Sequence, residues 1–417
     1  MSKKPADAFR ILHTADWHLG KMLNEQSREE EQKRFLDWLL KQVVELEVDV
    51  VLVAGDIFDT ANPPQSAEAL YYDFVAALHG STSASLVLIG GNHDSANQLE
   101  APKRVLKSLR THVHGAVAED PADRLLLLPS ADAPKVAIAM VPFLREKDIR
   151  IARVGESSSE VQTQVREGII ATYRETAEVI DRLSIKCPVI ATGHLTVAGS
   201  TSSESEREIH IGGLGAIDAS VFPAQFAYVA LGHLHRPQAP DKQGRVRYSG
   251  SPIPLSFSEI TDKKEVRILD VANGGIKDFG FSIPVFRRVA QLKTTVDTLA
   301  TDLLKFGEKK PSVGELPPWV EVVVSGLNGV QDVADQVHLH ASKLPFEVLK
   351  VTLGDLPRRV GPSADGQDET QAIETLLDKP SAVFEHLLSQ QEGLPQEKVD
   401  ALRVAFAQLV EKDAQAN

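Results

Sequence analysis

Five times within the first 236 residues an apolar run breaks into histidine, aspartate or asparagine: at Asp16-Trp17-His18, Gly55-Asp56-Ile57-Phe58-Asp59, Gly90-Gly91-Asn92-His93-Asp94, Gly193-His194 and Gly232-His233-Leu234-His235. The runs themselves, FRILHTA, VDVVLVA, SLVLIG, PVIAT and FAYVAL, read as buried strands. Ligands collect at the loops that follow the carboxyl ends of strands in open α/β sheets. The pattern therefore predicts an α/β fold that can bring Asp16, His18, Asp56, Asn92, His194, His233 and His235 into one pocket.

These residue types narrow the chemistry. Carboxylate, imidazole and amide oxygen without thiolate suit Mn²⁺, Fe²⁺, Zn²⁺ or Mg²⁺ rather than a soft metal. Two ions about 3.5–4 Å apart need a bridging group, and a carboxylate with two oxygens is the natural one. Asp56 is the expected bridge. Taken singly, an aspartate or histidine at a strand end is more often a turn former or a helix cap than a ligand. Capping alone would not set the Asn92 amide between two glycines and a His-Asp pair, nor end the series with His-x-His after a strand.

The segments Thr14-Ala15-Asp16-Trp17-His18-Leu19-Gly20, Gly55-Asp56-Ile57-Phe58-Asp59, Gly91-Asn92-His93-Asp94, Gly232-His233-Leu234-His235-Arg236-Pro237 and Ser249-Gly250-Ser251-Pro252 resemble the signature blocks of the calcineurin-like metallophosphoesterases. In their wording they are similar to the SbcD family of bacterial nuclease subunits. The likeness covers residues 9 to 285, and the rest more loosely. It implies a metallophosphoesterase β-sandwich flanked by helices, with two divalent ions, preferably Mn²⁺. By the same resemblance Asp16, His18, Asp56 and His235 hold the first ion, and Asp56, Asn92, His194 and His233 the second. His93 then protonates the leaving oxygen, a task suited to a pKa near neutrality, with Asp94 orienting its ring. Water between the ions would attack phosphorus in line, with no covalent enzyme intermediate. A structural histidine beside the metals would occupy the same position as His93. Asp59 and Asp94 also fit a loop-shaping role.

Composition bounds the remainder. The 417 residues, 42% hydrophobic, suffice for a large core plus appendages. One cysteine excludes a disulfide framework and suits a reducing cytosol; Cys187, before a proline and an apolar strand, reads as a small buried hydrophobe. Neither a signal-length nor a membrane-length apolar run is visible, so a soluble, cytoplasmic chain is expected. His13, His79, His112, His114, His210, His338, His340 and His386 lie outside the blocks and read as ordinary. With 45 basic against 58 acidic residues the net charge is −13, which repels a polyanion. Affinity for DNA must then come from local basic clusters, from the metals or from a partner. Arg236, Lys242, Arg245 and Arg247, with Arg145, Lys147 and Arg150, could contact phosphates or be plain surface charge.

The organisation is legible from changes of rhythm. Val165, Ile169, Ile170, Tyr173, Ala177 and Ile180 recur at helical spacing and predict a sheet-covering helix over 160–184. The polar stretch Ala198 to Glu208 is expected to be a mobile lid or a surface loop. Residues 1–284 form the expected nuclease domain, and near Pro284 a βαβαβ pattern begins that predicts a small α/β cap over 285–357. The family places a cap of this kind over duplex DNA; a dimerisation or purely structural role fits it too. A linker at 358–379 leads to two short amphipathic helices over 380–417, and residues 365–417 carry eleven acidic against four basic residues. These helices are expected to dock on an SbcC-like coiled-coil ATPase or on the chain's own core.

The expected function is that of a metal-dependent DNA nuclease subunit in repair and recombination. The resemblance implies ATP-dependent 3′ to 5′ exonuclease action on duplex ends, endonuclease action on hairpins and single strands, and a homodimer within a heterotetramer. The chain carries no GxxxxGK[ST] loop, so ATP dependence would be imported from the partner. The alternatives are a small-molecule phosphodiesterase or phosphomonoesterase on the same scaffold, and a scaffold protein without catalysis. Protein phosphatase relatives read Asp-Arg-Gly after the second block, where this chain runs Asp59-Thr60-Ala61.

Overall fold

The apolar runs become strands buried along their whole length. Phe9–Thr14 and Val50–Ala54 are buried at every position, as strands covered on both faces must be. The computed structural model describes residues 3–151, 156–203, 205–206, 215–308, 314–326 and 332–354. In chain order its strands are β1 (Phe9–Thr14), the short β2 (Met22–Leu23) and β3 (Gln26–Ser27), β4 (Val50–Ala54), β5 (Ser85–Ile89), β6 (Thr111–His114), β7 (Leu125–Leu128) and β8 (Val136–Ala139). There follow β9 (Val189–His194), β10 (Phe226–Gly232), β11 (Val246–Tyr248), β12 (Glu265–Ala272), β13 (Gly275–Ser282), β14 (Arg287–Thr295), β15 (Leu316–Ser325) and β16 (Glu347–Leu353).

Two mixed sheets carry the five blocks. One is six-stranded in the order β13-β12-β1-β4-β5-β6, the other five-stranded in the order β11-β10-β9-β8-β7. Strands β1, β4, β5 and β6 run parallel, as do β8, β9, β10 and β11. Side chains alternate between two apolar layers, as the two-residue period of a strand requires. From β4, Val51 and Val53 join Phe35, Leu39 and Phe74 of the helices Glu29–Glu45 and Gln65–Ser81 on the outer face. Val50, Leu52 and Ala54 of the same strand face inward, in one cluster with Ile138, Ile190 and Ala230 of the second sheet. The outer face of that second sheet is covered by the helix Ser158–Arg182 through Val165, Ile169, Tyr173 and Ile180. A capping box formed by Ser157 and Glu160 starts this helix. Ile170, expected on the buried face, is 39% exposed, since it lies one position, about 100°, round the helix from Ile169.

The expected βαβαβ unit is a parallel sheet β14-β15-β16 with helices Leu299–Gly307 and Val333–Ala341 in its crossovers. Leu303, Val320, Val322, Val324 and Val337 form its own core. Strand β15 begins at Leu316 and takes in Pro317 and Pro318, residue types that a strand interior disfavours. The register shifts there between Arg287 and Val289, and an irregularity at a strand's start tolerates residues without an N–H.

A buried polar knot joins this unit to the helix Glu29–Glu45. Arg28 donates to Glu31 through Nε (2.9 Å) and Nη2 (2.5 Å) and to the Pro254 carbonyl (2.6 Å). Arg287 Nε donates to the same Glu31 carboxylate (3.1 Å), and its guanidinium stacks 4.1 Å from the Trp319 ring centre. Leu23, Val289 and Trp319 pack beside the knot with Phe257. Residues Met1–Leu356 form one compact unit, while Pro357–Asn417, including the expected linker and tail helices, lie outside the described residues. No helix among the described residues is long and apolar enough to cross a membrane.

Candidate metal centre

All five loops open at carboxyl ends of strands, three from one sheet (β1, β4, β5) and two from the other (β9, β10). The first two loops are zipped together beyond the strand ends. Asp16 N–H donates to Gly55 C=O (3.0 Å), His18 N–H to Asp56 C=O (3.0 Å) and Leu19 N–H to Ile57 C=O (2.9 Å). Asp16, His18, Asp56 and His233 all have positive φ, at 54°, 44°, 49° and 94°. Non-glycine residues rarely adopt that conformation, and it concentrates where function holds it in place. Gly91 allows the third loop to close in, because a Cβ there would overlap the Asp56 carboxylate.

The predicted donors gather in this slit. Ligand atoms of Asp16, His18 and His235 lie within 4.8 Å of one another, and so do those of Asp16, Asp56 and His194. Asp56 Oδ2 stands 3.5 Å from His18 Nε2 and 3.3 Å from His194 Nε2, between the two groups. The other Asp56 oxygen accepts the His93 backbone N–H (2.9 Å). His194 Nδ1 donates to the Ala54 carbonyl (3.0 Å), which directs Nε2 inward to a point 3.0 Å from Asn92 Oδ1. Asp16 Oδ1 accepts the His233 N–H (2.8 Å), and the His194 and His233 rings lie 5.5 Å apart.

A cation fits this donor set. Asp16 and Asp56 are only 0% and 2% exposed, and buried charge needs compensation. Asp16 Oδ2 is buried without a hydrogen-bond partner, and Asp16 and His18 each bring a ligand atom within 4.8 Å of one on His235. Burial pushes the Asp16 carboxyl up to about 7, against the pull of His194. Burial acts on Asp56 in the same sense, yet His194 and His18 beside it hold it well below the usual carboxylate range. His194 responds oppositely: burial disfavours its proton, but Asp56 raises it to about 9.

His93 is half-buried at the mouth, its ring 4.9 Å from that of His18. Its Nδ1 lies 2.6 Å from the Asp59 carbonyl, to which it can only donate. Asp94, expected to orient this ring, is engaged elsewhere. Its carboxylate accepts the backbone N–H groups of Ile57 (3.1 Å), Phe58 (2.9 Å) and Gly91 (2.8 Å), tying the second loop to the third. Asp59 takes over the work beside His93. Besides its carbonyl contact, its carboxylate lies 3.2 Å from His18 Nδ1 and 3.1 Å from Lys21 Nζ.

The groups behind His235 left no signal in the sequence. Ser205 Oγ lies 2.6 Å and Glu259 Oε1 3.3 Å from His235 Nδ1, while the Glu206 carboxylate accepts the His235 N–H (2.7 Å). The described part of the 198–208 stretch therefore rests on the site; Glu204 and residues 207–214, His210 among them, lie outside the described residues. His386 does too. The cations expected to meet phosphate are largely engaged within the chain. Arg236 pairs with Asp262 (2.9 Å), Arg247 with Asp278 (3.0 Å), Arg145 with Asp148 (3.1 Å) and Arg150 with Glu146 and Glu156. Arg245 donates to the Phe222, Pro223 and Phe226 carbonyls. His13 sits in the middle layer with its Nδ1 3.2 Å from the Tyr228 hydroxyl, and Cys187 is partly buried against the second sheet.

Carboxylates, imidazoles and one amide oxygen, delivered to a slit between two sheets, define a dimetal phosphoesterase site. Residues 9–237 match the family described as calcineurin-like phosphoesterase. Among characterised proteins the chain is 36% identical over 350 residues to the SbcD subunit of nuclease SbcCD from Escherichia coli K12, covering 82% of this chain and 84% of that protein. It is 43% identical over 296 residues to the protein of that name from Rhodobacter capsulatus (68% and 71% covered) and 39% over 271 residues to that from Bacillus subtilis (64% and 67%). The chain belongs to the calcineurin-like phosphoesterases and, within them, to the SbcD family of nuclease subunits.

Proposed function

We propose that this chain is a two-metal DNA phosphodiesterase that works as the nuclease subunit beside a coiled-coil ATPase. The observation that carries the reading is the convergence of Asp16, His18, Asp56, His194 and His235 in one buried slit with half-exposed His93 at its mouth. One ion would be held by Asp16, His18, Asp56 and His235, the other by Asp56, Asn92, His194 and His233, with Mn²⁺ the favoured metal. Bound there, such a pair supplies Lewis acidity that acidifies water and neutralises charge on a reacting phosphate.

The chain's own groups do the rest. Because Nδ1 of His93 donates to the Asp59 carbonyl, Nε2 is the atom that can carry a proton to the leaving oxygen. Asp94 holds the loops of Asp56 and Asn92 at fixed separation. The sheet β14-β15-β16 with its own core is read as a cap for duplex DNA, and the segment 380–417 as the docking point for the ATPase. Relatives named as part of nuclease SbcCD support that partnership.

Cleavage of end-labelled duplex and hairpin DNA in Mn²⁺, with a bis-p-nitrophenyl phosphate control, tests this reading. Mn²⁺-dependent DNA cleavage that falls about 100-fold in His93→Ala is expected, the usual scale of a lost general acid. Equal DNA cleavage by His93→Ala overturns the proton-donor role. The engaged arginines favour one other reading, a small-molecule phosphodiesterase. Ester hydrolysis with DNA intact, even when an SbcC-like ATPase is added, would establish it.

A further inference from the structure

His235 is gripped more completely than the other histidines of the site. Glu259, on the short turn Phe257–Glu259 that follows the Ser-Gly-Ser-Pro block, is 0% exposed. Its Oε1 lies 3.3 Å from His235 Nδ1 and accepts the Ser205 hydroxyl (2.5 Å), which itself stands 2.6 Å from that nitrogen. Its Oε2 accepts from Lys264 Nζ (2.6 Å) and the Leu255 N–H (3.1 Å). Lys264 Nζ, also buried, donates in addition to the His235 carbonyl (2.9 Å) and Ser251 Oγ (2.9 Å). One ion pair thus holds the ring and the backbone of one residue. A carboxylate behind a ligating imidazole fixes its tautomer and orientation.

We propose that Glu259, with Lys264 as its counter-ion, is the positioning residue of His235. It keeps the proton on Nδ1, directly and through Ser205, so that Nε2 is offered to the metal. This rests on the reading of His235 as a metal ligand. A salt bridge serving stability alone would have no need of the second carboxylate oxygen on the ring side.

Mn²⁺ titration calorimetry of the full chain, wild type against Glu259→Gln, separates the possibilities. Two sites in the wild type, one of them weakened about 10–100-fold in the variant, are expected. A wild type that takes up no divalent ion overturns the parent reading. Normal two-site binding in both proteins overturns the positioning role alone. Because Glu259→Gln disturbs a buried pair and can fail to fold, a measurement on unaltered protein stands beside it. Nitrogen NMR of the Zn²⁺-loaded wild type reads the His235 tautomer directly. A protonated Nδ1 coupled to a hydrogen-bonded proton is expected; a protonated Nε2 overturns the proposal.

Discussion

Replacing Glu31 with glutamine tests whether the knot between the helix Glu29–Glu45 and the β14-β15-β16 unit carries energy. The glutamine keeps the shape but turns an amide N–H₂ toward two guanidinium groups. Arg28 is 0% exposed and Glu31 1%, so no water can take over the lost partner. Breaking a buried pair by removing one member costs about 3–5 kcal/mol, whereas a surface pair is worth about 0–1. Arg28 retains the Pro254 carbonyl and Arg287 the Pro317 carbonyl and the Trp319 face, which places the expected loss near the lower figure. Urea unfolding read by tryptophan fluorescence suits the measurement, because Trp319 stands in the knot. A double change, Arg28→Met with Glu31→Met, should recover only part of the loss, since it removes the Arg28–Glu31 charge pair but leaves Arg287 without its carboxylate and the Pro254 carbonyl without its donor. Hydrolysis of bis-p-nitrophenyl phosphate should persist in Glu31→Gln under native conditions while DNA cleavage declines, because the knot holds the proposed cap and not the metals. A loss under about 1 kcal/mol would put the knot in the class of surface pairs and refute the reasoning.

Two further outcomes are expected. Asp94→Ala strips three backbone N–H groups of their acceptor, and at about 1–3 kcal/mol for each unsatisfied donor it should lower the unfolding midpoint and weaken Mn²⁺ binding together; normal stability with only the pH–rate profile altered would restore Asp94 to the role of ring partner. Burial, then the charge of Arg267, lowers the His13 pKa from 6.5 to about 3, so the unfolded chain binds this proton more readily than the folded one. The corresponding stability is present above pH 6.5 and is lost on acidification toward pH 3, by at most about 1.4 kcal/mol per pH unit. His13→Gln should flatten that part of the acid-unfolding curve, and an unchanged slope refutes it.

Much of this was readable from the chain. Strand runs such as VDVVLVA announce themselves because burial on both faces demands continuous apolar sequence, and the donors sit where those runs end. The crossover unit after Pro284 was legible for a similar reason, since its helices and strands alternate with short connections. What sequence could not supply is the division of the five strands between two sheets, because a buried strand reads the same in either. Nor could it reveal Glu259 or Lys264. A buried charge leaves no periodic trace, and only the fold brings these two against His235, itself 24 residues before Glu259. Asp94 was expected beside the His93 ring because the two are adjacent in sequence, whereas the turn points their side chains to different partners. The ring meets instead the backbone carbonyl of Asp59, 34 residues away on the loop after β4.

The slit's position between two layers has a mechanical consequence. Asp16, His18, Asp56 and Asn92 belong to loops of one sheet, His194, His233 and His235 to loops of the other, and below them the sheets meet through apolar side chains. Greasy contacts resist separation but yield to sliding. Ions shared across the slit would act as rivets at one rim of the sandwich, pinning the layers in the single register at which both half-sites coincide.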